Sequence, residues 1–328
     1  MSQADLHEDQ VRNRFSPEKT APVSPYPLHW RLFDLLDTTA ERLVPRSRTA
    51  VVPALMLAPA VILVGVLAYG FCLVLQQSLH ALDPQTFTLR SDYTLENYST
   101  VFSRTQYGEV ILRTIGTGLL VSVIAITLAF PYAYTLVRTR SKRLKKGLLI
   151  LAFVPFLLGS VIRSFAWLLI LGRSGLINSA LGVFGIGSIP LIYNFTGVLI
   201  GLVQLNVPLG VIILVPALTA INEQIEEAAQ SLGAHWLRVM STIVLPLSVP
   251  GIANAFLIIL TLTFSEMVIP SMLGGGRFQL IANAIYESYV VAADTGTGAA
   301  LCVLTTFAVI FTVLLFYVAR GLFARRRA

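Results

Sequence analysis

The stretch Glu226-Glu227-Ala228-Ala229-Gln230-Ser231-Leu232-Gly233, followed at a fixed distance by Ile243, Leu245 and Pro246, is a long polar segment between two strongly apolar runs. Asn222 can cap a helix here by accepting a first-turn N–H, and Glu223 and Glu226 put negative charge where the helix dipole favours it. Gly233 stands where a left-handed residue ends a helix, so a β-branched side chain would be strained there. Ile225, Ala228, Ala229 and Leu232 recur at spacings of three and four, with Glu226, Glu227 and Gln230 flanking them. A second short helix is expected to carry Trp236, Val239, Met240 and Ile243. Residues 222–248 thus predict a helix-turn-helix with an apolar seam, outside the membrane and held by something there.

The flanking runs set the class of molecule. The chain has 328 residues, 55% hydrophobic and 12% charged, with a mean hydropathy of +0.75. That is far more apolar than a soluble domain of this length and predicts an integral membrane protein in a lipid bilayer. The net charge of +7 does not form one basic face. Lys and Arg cluster at the ends of apolar runs, which argues against a nucleic-acid partner. Cys72 and Cys302 both lie inside apolar runs and read as small buried hydrophobes rather than a disulfide or metal ligands.

Residues 1–48 are polar and lack a signal-peptide pattern. Within this arm Trp30, Phe33, Leu36, Ala40, Leu43 and Val44 recur at three to four, which predicts an interfacial helix leading into the membrane. Residues 49–328 then hold spans expected at Val51–Leu75, Thr114–Val137, Leu148–Leu171, Tyr193–Ile221, Gly251–Leu273 and Gly298–Val318, each long enough to cross about 30 Å of hydrocarbon. The expected fold class is all-α, with six transmembrane helices. Pro131 should kink the second span, and Gly197 and Gly201 give the fourth a small-residue face for close packing. The glycines Gly182, Gly185 and Gly187 resemble a phosphate loop only superficially, since no Lys-Ser or Lys-Thr closes the pattern.

Orientation follows from the basic residues. Eighteen of the 24 Lys and Arg fall on the side of both termini and the 222–248 loop, and six on the other, so that side is expected to be cytoplasmic. No Walker lysine motif, zinc signature or nucleophile elbow is present. The chain is therefore not read as an enzyme, no cofactor or metal is called for, and its energy must come from a partner or a gradient. Two charges within spans stand out. Glu266 and Arg163 each lie 15 residues into their expected span, about 22 Å from its inner end. An ionisable group at that depth faces a bundle interior, a water-filled path or an opposite charge. Glu266 is thus a candidate for a solute path, and an Arg163–Glu266 ion pair that only holds two helices is the alternative. Gln204, Asn206 and Asn254 would line a polar path or hydrogen-bond neighbouring helices.

The spacing Glu227-Ala228-Ala229, Gly233, Ile243, Leu245-Pro246 resembles the EAA loop of the membrane subunits of binding-protein-dependent ABC importers, with no position missing. The resemblance implies a type I importer permease fold. It makes Glu226, Glu227, Ala228, Ala229, Gly233, Ile243, Leu245 and Pro246 the residues that couple to ATPases. The partners it implies are two cytoplasmic ATP-binding subunits, a second permease subunit, identical or homologous, and a periplasmic solute-binding protein. Phe264-Ser265-Glu266-Met267-Val268-Ile269-Pro270 with Leu273-Gly274-Gly275 is similar to the fifth-span signature of polyamine permeases. Thr94-Leu95-Glu96-Asn97-Tyr98 resembles the external segment that precedes the shared six-helix unit of the importer family, and Val161-Ile162-Arg163-Ser164-Phe165-Ala166-Trp167 and Gly175-Leu176-Ile177-Asn178 are also similar to the polyamine subgroup. This implies spermidine or putrescine as solute and a path including Glu266, Arg163, Trp167, Gln204 and Asn206. Importers of opines, other amines or ferric ion share parts of the signature. A secondary transporter, the rival class, would need inverted repeats, and none is seen.

Overall fold

The computed structural model describes residues 51–325, residues 84, 86 and 87 excepted. The interfacial helix expected around Trp30 to Val44 and the terminal Arg326 and Arg327 lie outside the described residues. By contacts the chain divides into two units, Met1–Tyr69 and Gly70–Ala328.

Helix α1 (Val51–Ser78) leads into a short antiparallel ribbon, β1 (His80–Leu82) with β2 (Leu89–Tyr93). The ribbon was not expected from the sequence. It is tied down by α2 (Glu96–Ser103), whose buried Asn97 donates from Nδ2 to the carbonyls of Ser78 and His80, both at 2.9 Å. Next come α3 (Thr105–Arg138), α4 (Lys142–Leu157), α5 (Ser160–Leu171), α6 (Leu176–Val183) and α7 (Phe195–Thr219). The polar loop expected at 222–248 begins as α8 (Glu223–Ser231), and α9 (Trp236–Val239) continues through a π-helical turn, Met240–Val244, into α10 (Leu245–Ser265). The chain ends with α11 (Val268–Gly274), α12 (Ile281–Tyr286), a second π turn at Glu287–Val291 and α13 (Thr295–Arg325). Among the described residues six helical segments, α5 taken with α6 as Ser160–Val183 and α10 counted from Trp236, are long and apolar enough to cross a membrane; the third therefore runs Ser160–Val183 and not the expected Leu148–Leu171.

Helices α3, α7 and α10 form the core of the second unit. Its centre is Val121, Ala125, Ala129 and Ala133 of α3, Leu202, Val211, Leu214 and Leu218 of α7, and Ala255 and Ile259 of α10. In lipid such helices associate through close packing, which small residues permit. A Cβ built on Gly251 would lie 2.3 Å from Ala217 Cβ, and one on Gly201 2.6 Å from Leu273 Cδ1. Gly201 of the expected small-residue face thus receives α11, while Gly197 lies against the Leu191 carbonyl.

The span boundaries depart from expectation in three ways. The second helix starts at Thr105, because Tyr107 and Val110 are buried against Leu260, Phe264 and Leu301. The fifth starts at Trp236. Its π turn lets the Leu245 N–H reach the Met240 carbonyl directly before Pro246, which has no N–H to give. The expected third and fifth spans are broken. Leu158 and Gly159 are extended between α4 and α5, and Glu266 is extended after α10. Glu266 therefore sits at a helix junction, not within a helix.

Candidate functional site

The EAA loop is built as its sequence predicts at both ends of α8. Asn222 Oδ1 accepts from the Gln224 N–H at 3.0 Å, and Gly233 adopts φ 87° after the last turn. The faces of the helix are the reverse of the expected apolar seam. Ile225 and Ala228 are exposed and Leu232 is 90% exposed, whereas Glu226 is buried. The reason lies on α3, whose last turn carries Tyr134 and Arg138 four apart and so on one face. Arg138 donates to Glu226 Oε1 from Nε at 3.0 Å and from Nη2 at 2.5 Å, and Tyr134 Oη donates to Oε2 at 2.7 Å. Removing a carboxylate from water costs several kcal/mol, and a two-pronged arginine with a phenol is a partner set that offsets it. Both oxygens of the Glu226 carboxylate are thus taken up within the chain, while Glu223 and Glu227 of the same helix remain exposed.

Glu227 stays at the surface beside the exposed apolar residues. It pairs with Arg140 Nη2 at 3.0 Å, and Glu223 lies 3.8 Å from the same nitrogen. Arg140 is itself 84% exposed, so these pairs are worth well under about 1 kcal/mol. Ala229 and Ile243 are half-buried against the core, and Leu245 and Pro246 are exposed.

The residues expected to line a solute path do not converge on one place. Trp167 Nε1 donates to Gln204 Oε1 at 3.2 Å, and both border a cavity of about 490 Å³ with Tyr132, Pro155 and Val207. That cavity is almost wholly apolar and does not include Glu266, Arg163 or Asn206. Asn206 is buried and donates to the Leu202 carbonyl of its own helix at 2.8 Å, while Asn254 is exposed.

Arg163 lies instead in the first turn of α5 and Glu266 in the junction just before α11, the helix packed beside α5, so that one charge stands at each helix break. Arg163, 7% exposed, donates from Nη2 to the Leu158 carbonyl at 2.7 Å, a cation at the C-terminal end of α4. Glu266 Oε1 accepts from the N–H groups of Val268 and Ile269 at 3.1 and 3.3 Å, an anion at the start of α11. Each charge sits where the helix dipole favours it. The two interact electrostatically, yet the expected ion pair is not among those within 4.0 Å in the described residues. Arg163 Nε and Nη1 are buried with no hydrogen-bond partner among the described residues.

Sequence reasoning missed two supports. One is Arg138, whose spacing of four from Tyr134 marks a polar pair on one helix face. Asn283 braces the break after α10. Its Nδ2 donates to the Met267 carbonyl at 3.1 Å and its Oδ1 accepts from the Leu280 N–H at 3.2 Å. Asn178, quoted for its resemblance, is also structural: it exchanges hydrogen bonds with Ile189 and donates to the Gly172 carbonyl, closing the loop after α6.

Comparison with known proteins agrees with this architecture. Residues 123–328 match the family described as the binding-protein-dependent transport system inner membrane component. The spermidine/putrescine transport system permease protein PotB of Haemophilus influenzae is 27% identical over 235 residues, covering 71% of this chain and 82% of that one. PotB of Escherichia coli K12 is 28% identical over 236 residues, covering 71% and 85%. In a solved bacterial ABC transporter that imports the acidic polysaccharide alginate, one chain superposes with a TM-score of 0.70 at 20% identity, covering 87% of this chain and 99% of that one. The chain therefore belongs to the binding-protein-dependent transport system inner membrane components, with the all-helical type I ABC importer permease fold.

Proposed function

We propose that this permease imports a polyamine, spermidine or putrescine, or a similar organic cation, from periplasm to cytoplasm. A periplasmic binding protein delivers the solute, a second permease subunit completes the channel, and two ATP-binding subunits drive it from the cytoplasmic side, where both termini also lie. The observation that carries the coupling role is α8 itself. A soluble helix that turns Ile225 and Leu232 outward beside Glu227 leaves an apolar knob that a partner must cover. Closure of the ATP-binding subunits would move the two such knobs of a permease pair and switch the central path between its inward and outward openings.

The polyamine reading is supported by the named function of the PotB relatives, which match 71% of this chain. It is also supported by Glu266, whose Oε2 accepts no hydrogen bond among the described residues while Oε1 caps α11. A half-exposed carboxylate oxygen at a helix break is suited to a passing ammonium group. A second reading rests on Arg163, whose Nε and Nη1, unpartnered among the described residues, suit a carboxylate-bearing solute such as an opine.

Uptake by the assembled transporter in proteoliposomes separates these readings. Glu266→Gln should lower spermidine or putrescine uptake per complex while assembly and basal ATP hydrolysis persist. Arg163→Gln should leave that uptake near normal. Unchanged polyamine uptake in Glu266→Gln, or inhibition of uptake by opines but not by polyamines, contradicts the polyamine reading.

A further inference from the structure

Of residues 222–233, Glu226 alone is buried and Ala229 alone half-buried, so the Glu226 carboxylate is the one buried polar tie among the described residues between α8 and the body of the protein. The group that holds it is shared. Arg138 Nη2 also donates to the Ile221 carbonyl at 2.9 Å, just beyond the end of α7, so one guanidinium joins α3, the end of α7 and α8. The other polar ties of α8, from Glu223 and Glu227 to Arg140, lie at the surface and are open to exchange with a docking partner. Since α3 and α7 are core helices, Glu226 gives a displacement of α8 a direct polar route to α3, beside the chain connection to α7.

We propose that Glu226 is a positioning residue of the coupling step: clasped by Arg138 and Tyr134, it makes α8 and the end of α3 move as one lever. The inference rests on the coupling reading of α8 and adds a distinct claim. Docking belongs to the outward side of the helix and transmission to the inward side. A lever needs a joint that does not slip, and a buried carboxylate with hydrogen bonds on both oxygens keeps one geometry.

The test uses the whole transporter, permease with its ATP-binding and binding-protein subunits, in proteoliposomes. Glu226→Gln should still co-purify the ATP-binding subunits and keep basal ATP hydrolysis. Uptake per assembled complex and the stimulation of hydrolysis by loaded binding protein should fall about tenfold, the size expected from losing a charge-assisted hydrogen bond. A second variant replaces the clasp covalently: Tyr134→Cys with Glu226→Cys, in a background with Cys72 and Cys302 changed to Ser, joined by a short bifunctional thiol reagent. Uptake should be low before cross-linking and recover after it. The proposal is overturned if Glu226→Gln transports normally, if it loses the ATP-binding subunits, or if cross-linking lowers uptake. Absence of ATP-binding subunits from the unmodified complex would instead overturn the coupling reading itself.

Discussion

Two arginines of the described residues are drawn into the body of this permease, Arg138 half-buried and Arg163 buried, and they are treated differently. At the end of α3, Arg138 meets Glu226, stacks over Tyr134 at 5.9 Å and donates to a backbone carbonyl. At the α4–α5 break, Arg163 makes one hydrogen bond and leaves Nε and Nη1 without partners among the described residues. The first is a closed network, in which removing one member strands another. The second is an open one, which can lose a member at little cost or accept a new one. A buried charge therefore marks structure where its partners are complete, and a place for exchange where they are not.

The sharpest way to break this comparison is to change both arginines alike. Arg138→Met strands the Glu226 carboxylate and should destabilise the folded permease by about 3–5 kcal/mol, seen as loss of monodisperse protein in detergent. Arg163→Met gives up one hydrogen bond to Leu158 and removes two nitrogens unpartnered among the described residues, so its thermal midpoint should stay within the shift that about 1 kcal/mol produces. Equal losses in the two variants would mean that the contrast between the sites is false. A smaller effect sharpens the account of Glu266. Glu266→Ala removes the acceptor at the start of α11 and should cost about 1 kcal/mol, measurable as a lowered midpoint, whereas Glu266→Gln retains a carbonyl oxygen and should cost less. The smallest effect belongs to the surface pair. Arg140→Ala should change stability by less than about 0.5 kcal/mol.

Much of this was legible in the sequence, for identifiable reasons. Runs of apolar residues long enough to cross a bilayer admit few other structures, so six spans were expected and six are found, though the third runs Ser160–Val183 instead of Leu148–Leu171, and tertiary packing and a π turn extend two others. The cap at Asn222 and the left-handed Gly233 are local and were read directly. The inward turn of Glu226 was not legible. Its partners stand 88 and 92 residues away, and a periodicity argument assigns apolar side chains inward by default. Here Leu232 defies that default because α8 packs on a polar clasp. The breaks at Gly159 and Glu266 were hidden for another reason, since hydropathy averaged along a run passes smoothly through one or two extended residues. Their signal was local: a charged residue beside a Gly or Pro in each span, Arg163 after Gly159 and Glu266 before Pro270. The ribbon at His80–Tyr93 depends on Asn97, whose role appears only once α2 folds over it.

The central claim is that the outward side of α8 is where the energy-supplying subunits dock. A photoreactive phenylalanine analogue at Leu232, with a control at Phe102 (74% exposed, preceding α3 at the opposite end), tests it in membranes holding the full transporter. The account predicts a covalent adduct between the permease and the ATP-binding subunit from Leu232 and none from Phe102. An adduct with that subunit from Phe102, and none from Leu232, would contradict it.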